Sequence, residues 1–459
     1  MVNLFPEVIP EGGKEPAFLN RAPGLKFQQT IGTGPIRALW AHQTNGSNFY
    51  VVSGNEVYKV PSLTGTPVKI GDVSGSGPVS IADNGVQLFF ACNPASYVYN
   101  DLTGVFVQIT DVDFPGAVTV QYLDGYFIFN EPNSQRLWAT SLLDGTMIAP
   151  LDFASAEGSP DGVVAVAVDH RELWVFGTDT VEVWYDAALI DFPLAPIQGA
   201  LNEIGCAAAF SIAKLDNALF WLGADARGFG IVYQNKGYSG VRVSTHAIEY
   251  AIQQYDTISD AVAYTYQQEG HAFYVLNFPS ANATWVYDVA TQAWHERAGF
   301  LNGAFTRHRS NCQCNFANNT VVGDFENGNI YTLDLDIYAD NSNIQKWLRS
   351  WRALAPGENN LKRSTHHSLQ LDAETGVGLN SGQGSDPQVM LRWSDDGGHT
   401  WSNEHWASMG TIGSYGYRTF WRRLGMTEKI RDRVYEVSGT DPVKIAIVGA
   451  ELFITPTNA

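Results

Sequence analysis

The residues whose types and spacing could do chemistry lie late in the chain, in Ser394-Asp395-Asp396-Gly397-Gly398-His399-Thr400-Trp401. The S-x-D-x-G-x-T-W pattern is that of an Asp-box, a β-hairpin turn. In such a turn a carboxylate accepts backbone N–H bonds and an indole packs underneath. Ser394, Asp396, Gly398, Thr400 and Trp401 are therefore expected to hold a turn and not a substrate.

Asp-boxes are known from sialidases, where several occur within the blades of a propeller. Here there is one, and it lies outside the blade-like repeats described below. The arginine cluster that would hold a substrate carboxylate, and the Tyr–Glu nucleophile pair, cannot be assigned to any arrangement in this sequence. A carbohydrate-active, sialidase-like propeller enzyme stays open as the alternative, as does a ligand-binding propeller.

Five arginines, Arg418, Arg422, Arg423, Arg431 and Arg433, are interleaved with Phe420, Trp421 and Leu424. That mixture can bind nucleic acid, but the surrounding region is neutral overall. Pairing with Asp or Glu of the same or a neighbouring subunit is the favoured reading. Cys312 and Cys314 would put two sulfurs on one face of a strand, yet no second Cys or His pair stands at ligand spacing. His366 and His367 point to opposite faces of a presumed strand. The glycine-rich Gly71–Pro78 turn has no following Lys-Ser/Thr to make it a phosphate loop. No catalytic residue, cofactor or metal site is assigned.

The elements that position these residues are short strands. Ser159 to Ala187 reads as three strands and two tight turns: a two-sided Val/Ala strand, a two-sided strand at Leu173–Phe176, and a half-exposed strand from Val181. Small residues first and large ones next describe a wedge, as in a propeller blade. Similar units begin near Ile36, Val79, Ala117, Cys206, Ile258 and Gly303, with Tyr58, Tyr99, Trp138, Tyr233, Tyr287 and Tyr331 in their third strands. The repeat of roughly 40 to 50 residues suits a propeller. Seven blades are preferred, with six left open. The chain is thus expected to be all-β: an extended arm over 1–30, a β-propeller over 31–340 and a β-sandwich-like domain over 341–459. One helix is expected after the fifth unit, capped by Thr245, with Ile248, Ala251, Ile252 and Tyr255 on its packed face.

Charge narrows the partners. Residues 1–340 hold 15 Lys+Arg against 35 Asp+Glu, whereas 341–459 hold 13 against 12. An acidic propeller argues against tight nucleic-acid binding, which needs phosphate neutralisation. No apolar run approaches the ~18 residues of a membrane span, and no signal peptide is expected.

Several stretches resemble the packaged-DNA stabilisation proteins of short-tailed phages, the tail hub or nozzle family. They are Asn3–Glu7, Gly71–Ser80, Pro160–Val164, Arg392–Gly397, Trp421–Gly425 and Arg431–Arg433. The resemblance implies a non-enzymatic virion tail protein, made in the host cytoplasm. It implies a ring, sixfold in this family, below the head-to-tail adaptor. Such a ring retains packaged DNA, forms part of the exit channel that DNA traverses without specific binding, and anchors needle, fibre or spike proteins. The five arginines are then candidate subunit or adaptor contacts, and no membrane insertion is expected.

Overall fold

The computed structural model describes residues 1–9, 15–42, 47–225, 228–353, 363–427 and 433–457. The chain divides into two compact units, one of Phe27–Trp294 and Arg309–Leu333, the other of Met1–Lys26, His295–His308 and Asp334–Ala459.

The first unit is a seven-bladed propeller. Its innermost strands are Ile36–Ala41, Ser80–Asp83, Val120–Leu123, Val163–Asp169, Ala213–Leu215, Val262–Gln268 and Ser310–Phe316. Blades one to six then run outward through the strands that follow in sequence. Blade seven runs through Asn319–Asp324 and Asn329–Asp334 and takes Gly24–Thr30 from the start of the chain as its outermost strand. The inner strand of blade seven lies beside that of blade one, which closes the circle.

Local chemistry explains the hairpins. In blades three to seven the turn between the inner and second strands has two central residues, Asp124-Gly125, His170-Arg171, Asp216-Asn217, Glu269-Gly270 and Ala317-Asn318, all at positive φ. That is the geometry whose twist matches paired strands. Asn, Asp and Gly reach it readily; Ala317 at φ 48° does so against its preference.

Blades pack face to face, so their first three strands are buried on both sides. Between blades four and five, Trp174, Phe176 and Val183 pack against Leu219, Trp221 and Tyr233. Between blades seven and one, Ile36, Phe49 and Val51 pack against Cys314, Phe316 and Ile330. Polar ties join neighbouring blades as well: Trp40 Nε1 of blade one donates to Asp83 of blade two (2.6 Å), and Lys214 Nζ of blade five pairs with the buried Asp169 of blade four (2.8 Å). The third strand of blade four differs from the expected half-exposure. Glu182 and Trp184 are both buried, because the indole (2.9 Å) and the Gly158 N–H (2.8 Å) satisfy the Glu182 carboxylate. A buried acid is tolerated when its oxygens are so occupied.

The helix forms at His246–Gln253, with Thr245 at the N-cap position but no side-chain capping bond. Instead the buried Glu249 accepts from Ser244 Oγ (2.6 Å) and from Arg242 Nε (2.5 Å). Ile248 and Ile252 pack into the core of blades five and six. Tyr255 falls past the helix end, where its hydroxyl accepts from Trp285 Nε1 (3.0 Å).

The second unit is a β-sandwich. One sheet has the order Leu4–Val8, Ala17–Arg21, Ala446–Pro456, Ser364–Ala373, Thr419–Met426. The other has Trp347–Arg352, Val434–Gly439, Gln388–Ser394, His405–Ser408. Leu369, Leu371 and Trp421 of the first meet Trp347, Val389, Leu391 and Val437 of the second in one core. Gly439 faces Trp347 across the sheet, and a Cβ there would sit 2.6 Å from the indole. The N-terminal residues expected as an extended arm supply strands, two in the first sheet of the sandwich and one in blade seven.

Candidate functional site

The Asp-box turn follows the strand Gln388–Ser394. Asp396 Oδ1 accepts the N–H groups of His399 and Thr400, each at 2.9 Å, and the Ser394 hydroxyl at 2.6 Å. Asp396 Oδ2 accepts the Thr400 hydroxyl at 2.6 Å. Ser394 Oγ in turn accepts the Gly398 N–H at 2.8 Å. The Ser394 and Thr400 hydroxyls, then the backbone N–H groups, hold the Asp396 carboxyl well below the usual carboxylate range. The half-buried Trp401 ring lies under the Arg392 guanidinium, 4.7 Å from its centroid. These bonds occupy both Asp396 oxygens with groups of the turn itself.

The arginines divide. Arg418 and Arg422 are exposed, flank Phe420 with their guanidinium carbons 5.8 and 4.8 Å from its centroid, and lie on or beside the strand Thr419–Met426. Arg418 Nε donates to Gln370 at 2.9 Å. Arg423 is exposed at φ 60°, where the pairing with Ser364–Ala373 slips between His366 and Ser368. Arg431 lies outside the described residues. Arg433 is an interior residue at 3% exposure, bonded to Asp395 through Nε and an Nη, both at 2.7 Å, and to the Leu424 and Met426 carbonyls. Its donors are used within the sandwich, so among the described residues Arg418, Arg422 and Arg423 are the surface members of the group.

His366 is buried between Tyr435 Oη (2.8 Å) and Ser364 Oγ (3.0 Å), and burial followed by nearby Arg433 pushes its imidazole down to about 4. His367 is exposed and its ring lies 5.0 Å from Phe453. Cys312 and Cys314 pack in or against the core between blades seven and one, where burial pushes the Cys312 thiol up to about 12. Among the described residues no three His, Cys, Asp or Glu side chains gather as a metal group.

The buried Arg37 and Arg21 are among the arginines that escaped the sequence reading. Arg37 donates to the Gly77 (2.6 Å), Gly54 (3.0 Å) and Ser74 (3.2 Å) carbonyls and so anchors the glycine-rich turn. Arg21 ties Gln345, Tyr338, Asp441 and Val443 of the sandwich unit together. A single arginine in a strand carries no sequence signal for such a role.

The innermost strands surround a cavity of about 330 Å³, lined by residues such as Ser80, Thr119, Gln121, Thr265 and Gln313, with Arg37 as its charged member. That is the scale of a small-molecule pocket.

Two family descriptions match the sequence: "Bacteriophage P22 Gp10, beta-propeller" over residues 1–338, and "Bacteriophage P22 Gp10, beta-sandwich" over residues 347–455. Among solved structures, the N-terminal domain of Nup159 has 11% identity and a TM-score of 0.42, covering 72% of this chain and 98% of that one. The β-propeller domain of Cps50 (Swd1) from Myceliophteria thermophila has 11% identity and a TM-score of 0.43, covering 68% and 99%. The computationally designed Ika8 protein has 13% identity and a TM-score of 0.40, covering 72% and 96%. Comparison with curated proteins returns no match. With its propeller and its sandwich both matched, the chain belongs to the bacteriophage P22 Gp10 family.

Proposed function

We propose that this bacteriophage tail structural protein assembles into a closed ring, six copies in all, below the head-to-tail adaptor of the virion. In this reading the ring retains packaged DNA, forms part of the exit channel and anchors needle, fibre or spike proteins. It is made in the host cytoplasm and has no enzymatic role.

The observation that carries the reading is that both halves of the chain match the phage family, the propeller over residues 1–338 and the sandwich over 347–455. In a closed ring DNA would pass through the lumen between copies. The acid of residues 1–340, 35 Asp+Glu against 15 Lys+Arg, suits a wall that phosphate slides past. The exposed arginines of the sandwich suit protein contacts, since a closed cyclic assembly needs two complementary patches per copy.

Electron microscopy of the native tail tests this directly. The expected image is a closed ring of this chain, its lumen lined mainly by Asp, Glu and uncharged polar residues. A single copy per particle, or Arg418 and Arg422 lining the lumen against DNA, would overturn it. Turnover of a sialoside by the purified chain would favour the enzyme instead.

A further inference from the structure

The acid of the propeller is concentrated. Residues 80–200, which hold blades two to four, contain 16 Asp+Glu and 2 Lys+Arg. One of those two, Arg171, is already paired with Asp124 at 2.7 Å.

The same blades expose apolar side chains at one end. Antiparallel order puts the inner hairpin turn and the connection to the outermost strand at the same end of each blade. At that end blade two presents Leu102 (79% exposed), blade three Leu142, Leu143 and Met147, and blade four Leu189 and Ile190 (99% exposed). Hydrogen bonds join them into one surface. The Asp101 N–H reaches the Val86 carbonyl (2.8 Å), and the Gly145 N–H reaches Gln87 Oε1 (2.7 Å) from blade three to blade two. The Arg171–Asp124 pair joins blade four to blade three. Asp186 and Asp191 are exposed beside Leu189 and Ile190. Large apolar side chains exposed together mark an interaction site.

The sandwich carries the opposite chemistry. Leu369, Leu371 and Trp421 face its core, so the alternating Ser368, Gln370, Phe420 and Arg422 face outward. Phe453, 64% exposed, stands opposite Ser368 on the same outer face, and Glu451 opposite Gln370. No Asp or Glu occurs between Glu404 and Glu428, the stretch that holds Arg418, Arg422 and Arg423.

Resting on the ring reading above, we infer that the arginine-and-phenylalanine face of one copy's sandwich docks on the acidic, apolar end of blades two to four of the next copy. Charge complementarity selects the occupant: each face is apolar, the blade end carries an excess of acid with Arg171 already paired, and the sandwich face carries Arg418, Arg422 and Arg423 against Glu451. Two different patches meeting head to tail form a heterologous contact, the kind that closes rings.

The test uses the full chain in tail particles, with a photoreactive amino acid in place of Ile190. The expected product is a dimer of this chain, joined within 405–427 or near Phe453 of the second copy. Cross-links to another polypeptide, or to other parts of this chain, overturn the docking surface. Copy number by microscopy judges the ring separately, so the two failures are distinguishable. A charge exchange gives a second readout. Asp186→Lys with Asp191→Lys, or Arg418→Glu with Arg422→Glu, should each cut incorporation about tenfold, and all four together should restore it. Unchanged thermal unfolding of each soluble variant establishes that it folds. Loss in either pair without rescue in the combination counts against the contact.

Discussion

Arg433 and Asp395 form a two-point ion pair inside the sandwich, with both N–O distances at 2.7 Å. The arginine side chain is 2% exposed and the aspartate 14%. The guanidinium also lies 5.3 Å from the Trp393 centroid and 6.0 Å from that of Tyr435. Asp395 belongs to the Asp-box stretch and Arg433 immediately precedes the strand Val434–Gly439, which pairs with Gln388–Ser394, so the pair fixes the turn to the sheet.

Removing one member leaves the other charge buried. Arg433→Met should therefore cost about 3–5 kcal/mol of stability. Arg422→Ala, at an exposed site, should stay within about 0.5 kcal/mol. Urea denaturation of both variants measures this. Equal effects would mean that the ion pair contributes nothing beyond its surface neighbours.

The two arginines could not be told apart before the structure. Both sit in a basic, aromatic run, and spacing reports which face a residue shares but not which face is covered. The third-strand aromatics were legible, because a two-sided strand bounded by turns leaves a repeating signature. Tyr58, Tyr99, Trp138, Tyr233, Tyr287 and Tyr331 all lie in third strands of their blades. The burial of Glu182 is not legible in the sequence, because Trp184 and Gly158 meet its acceptors and such a local match has no pattern there.

Trp174 tests the joint between blades four and five. It is 2% exposed and packs among residues of both blades, including Trp221 and Tyr233. Trp174→Ala should cost about 3–5 kcal/mol through lost burial and a cavity. A loss below about 1 kcal/mol in chemical denaturation would contradict the blade-to-blade core.

Asp396 makes acid sensitivity specific to the turn. Its folded carboxyl lies below the unfolded value of ~3.9, so its contribution is present above that pH and fades as pH falls toward the folded value. Wild type should be more stable than Asp396→Ala at pH 7, and the gap should narrow below about pH 4. A gap independent of pH would show that the carboxylate charge is not what the turn uses.

Asp340 acts with the opposite sign. It is buried at 2% exposure, and burial, only partly offset by Arg21, pushes its carboxyl up to about 7. Stability from this group is full below pH ~3.9 and is lost as pH rises toward the folded value, at up to ~1.4 kcal/mol per pH unit. Asp340→Asn keeps the neutral form and the acceptor for Gln345 Nε2 (3.3 Å). Its stability should fall less than that of wild type between pH 4 and 7. Parallel curves for the two proteins would refute this.

The closure of the propeller gives the last prediction. The outermost strand of blade seven is Gly24–Thr30, and its partner Asn329–Asp334 lies some 300 residues later, a pairing that no local pattern could announce. Within the propeller unit the joint is made by Gln28 Nε2 to Thr332 Oγ1 (2.8 Å), Thr30 Oγ1 to Asn329 Oδ1 (2.6 Å) and the Ile31 N–H to the Gly328 carbonyl (2.7 Å). Phe27 adds an edge-on contact with Tyr331, centroids 6.3 Å apart. Breaking the strand with Gln28→Pro removes a backbone donor and unseats these groups. The bared edge of Asn329–Asp334 is then a template for strands of other molecules. The variant should unfold at lower denaturant and aggregate on heating, whereas Lys26→Ala, which removes only the strand's solvent-exposed ion pair with Asp334, should do neither. Identical behaviour of the two variants would show that the circle is held without its N-terminal strand.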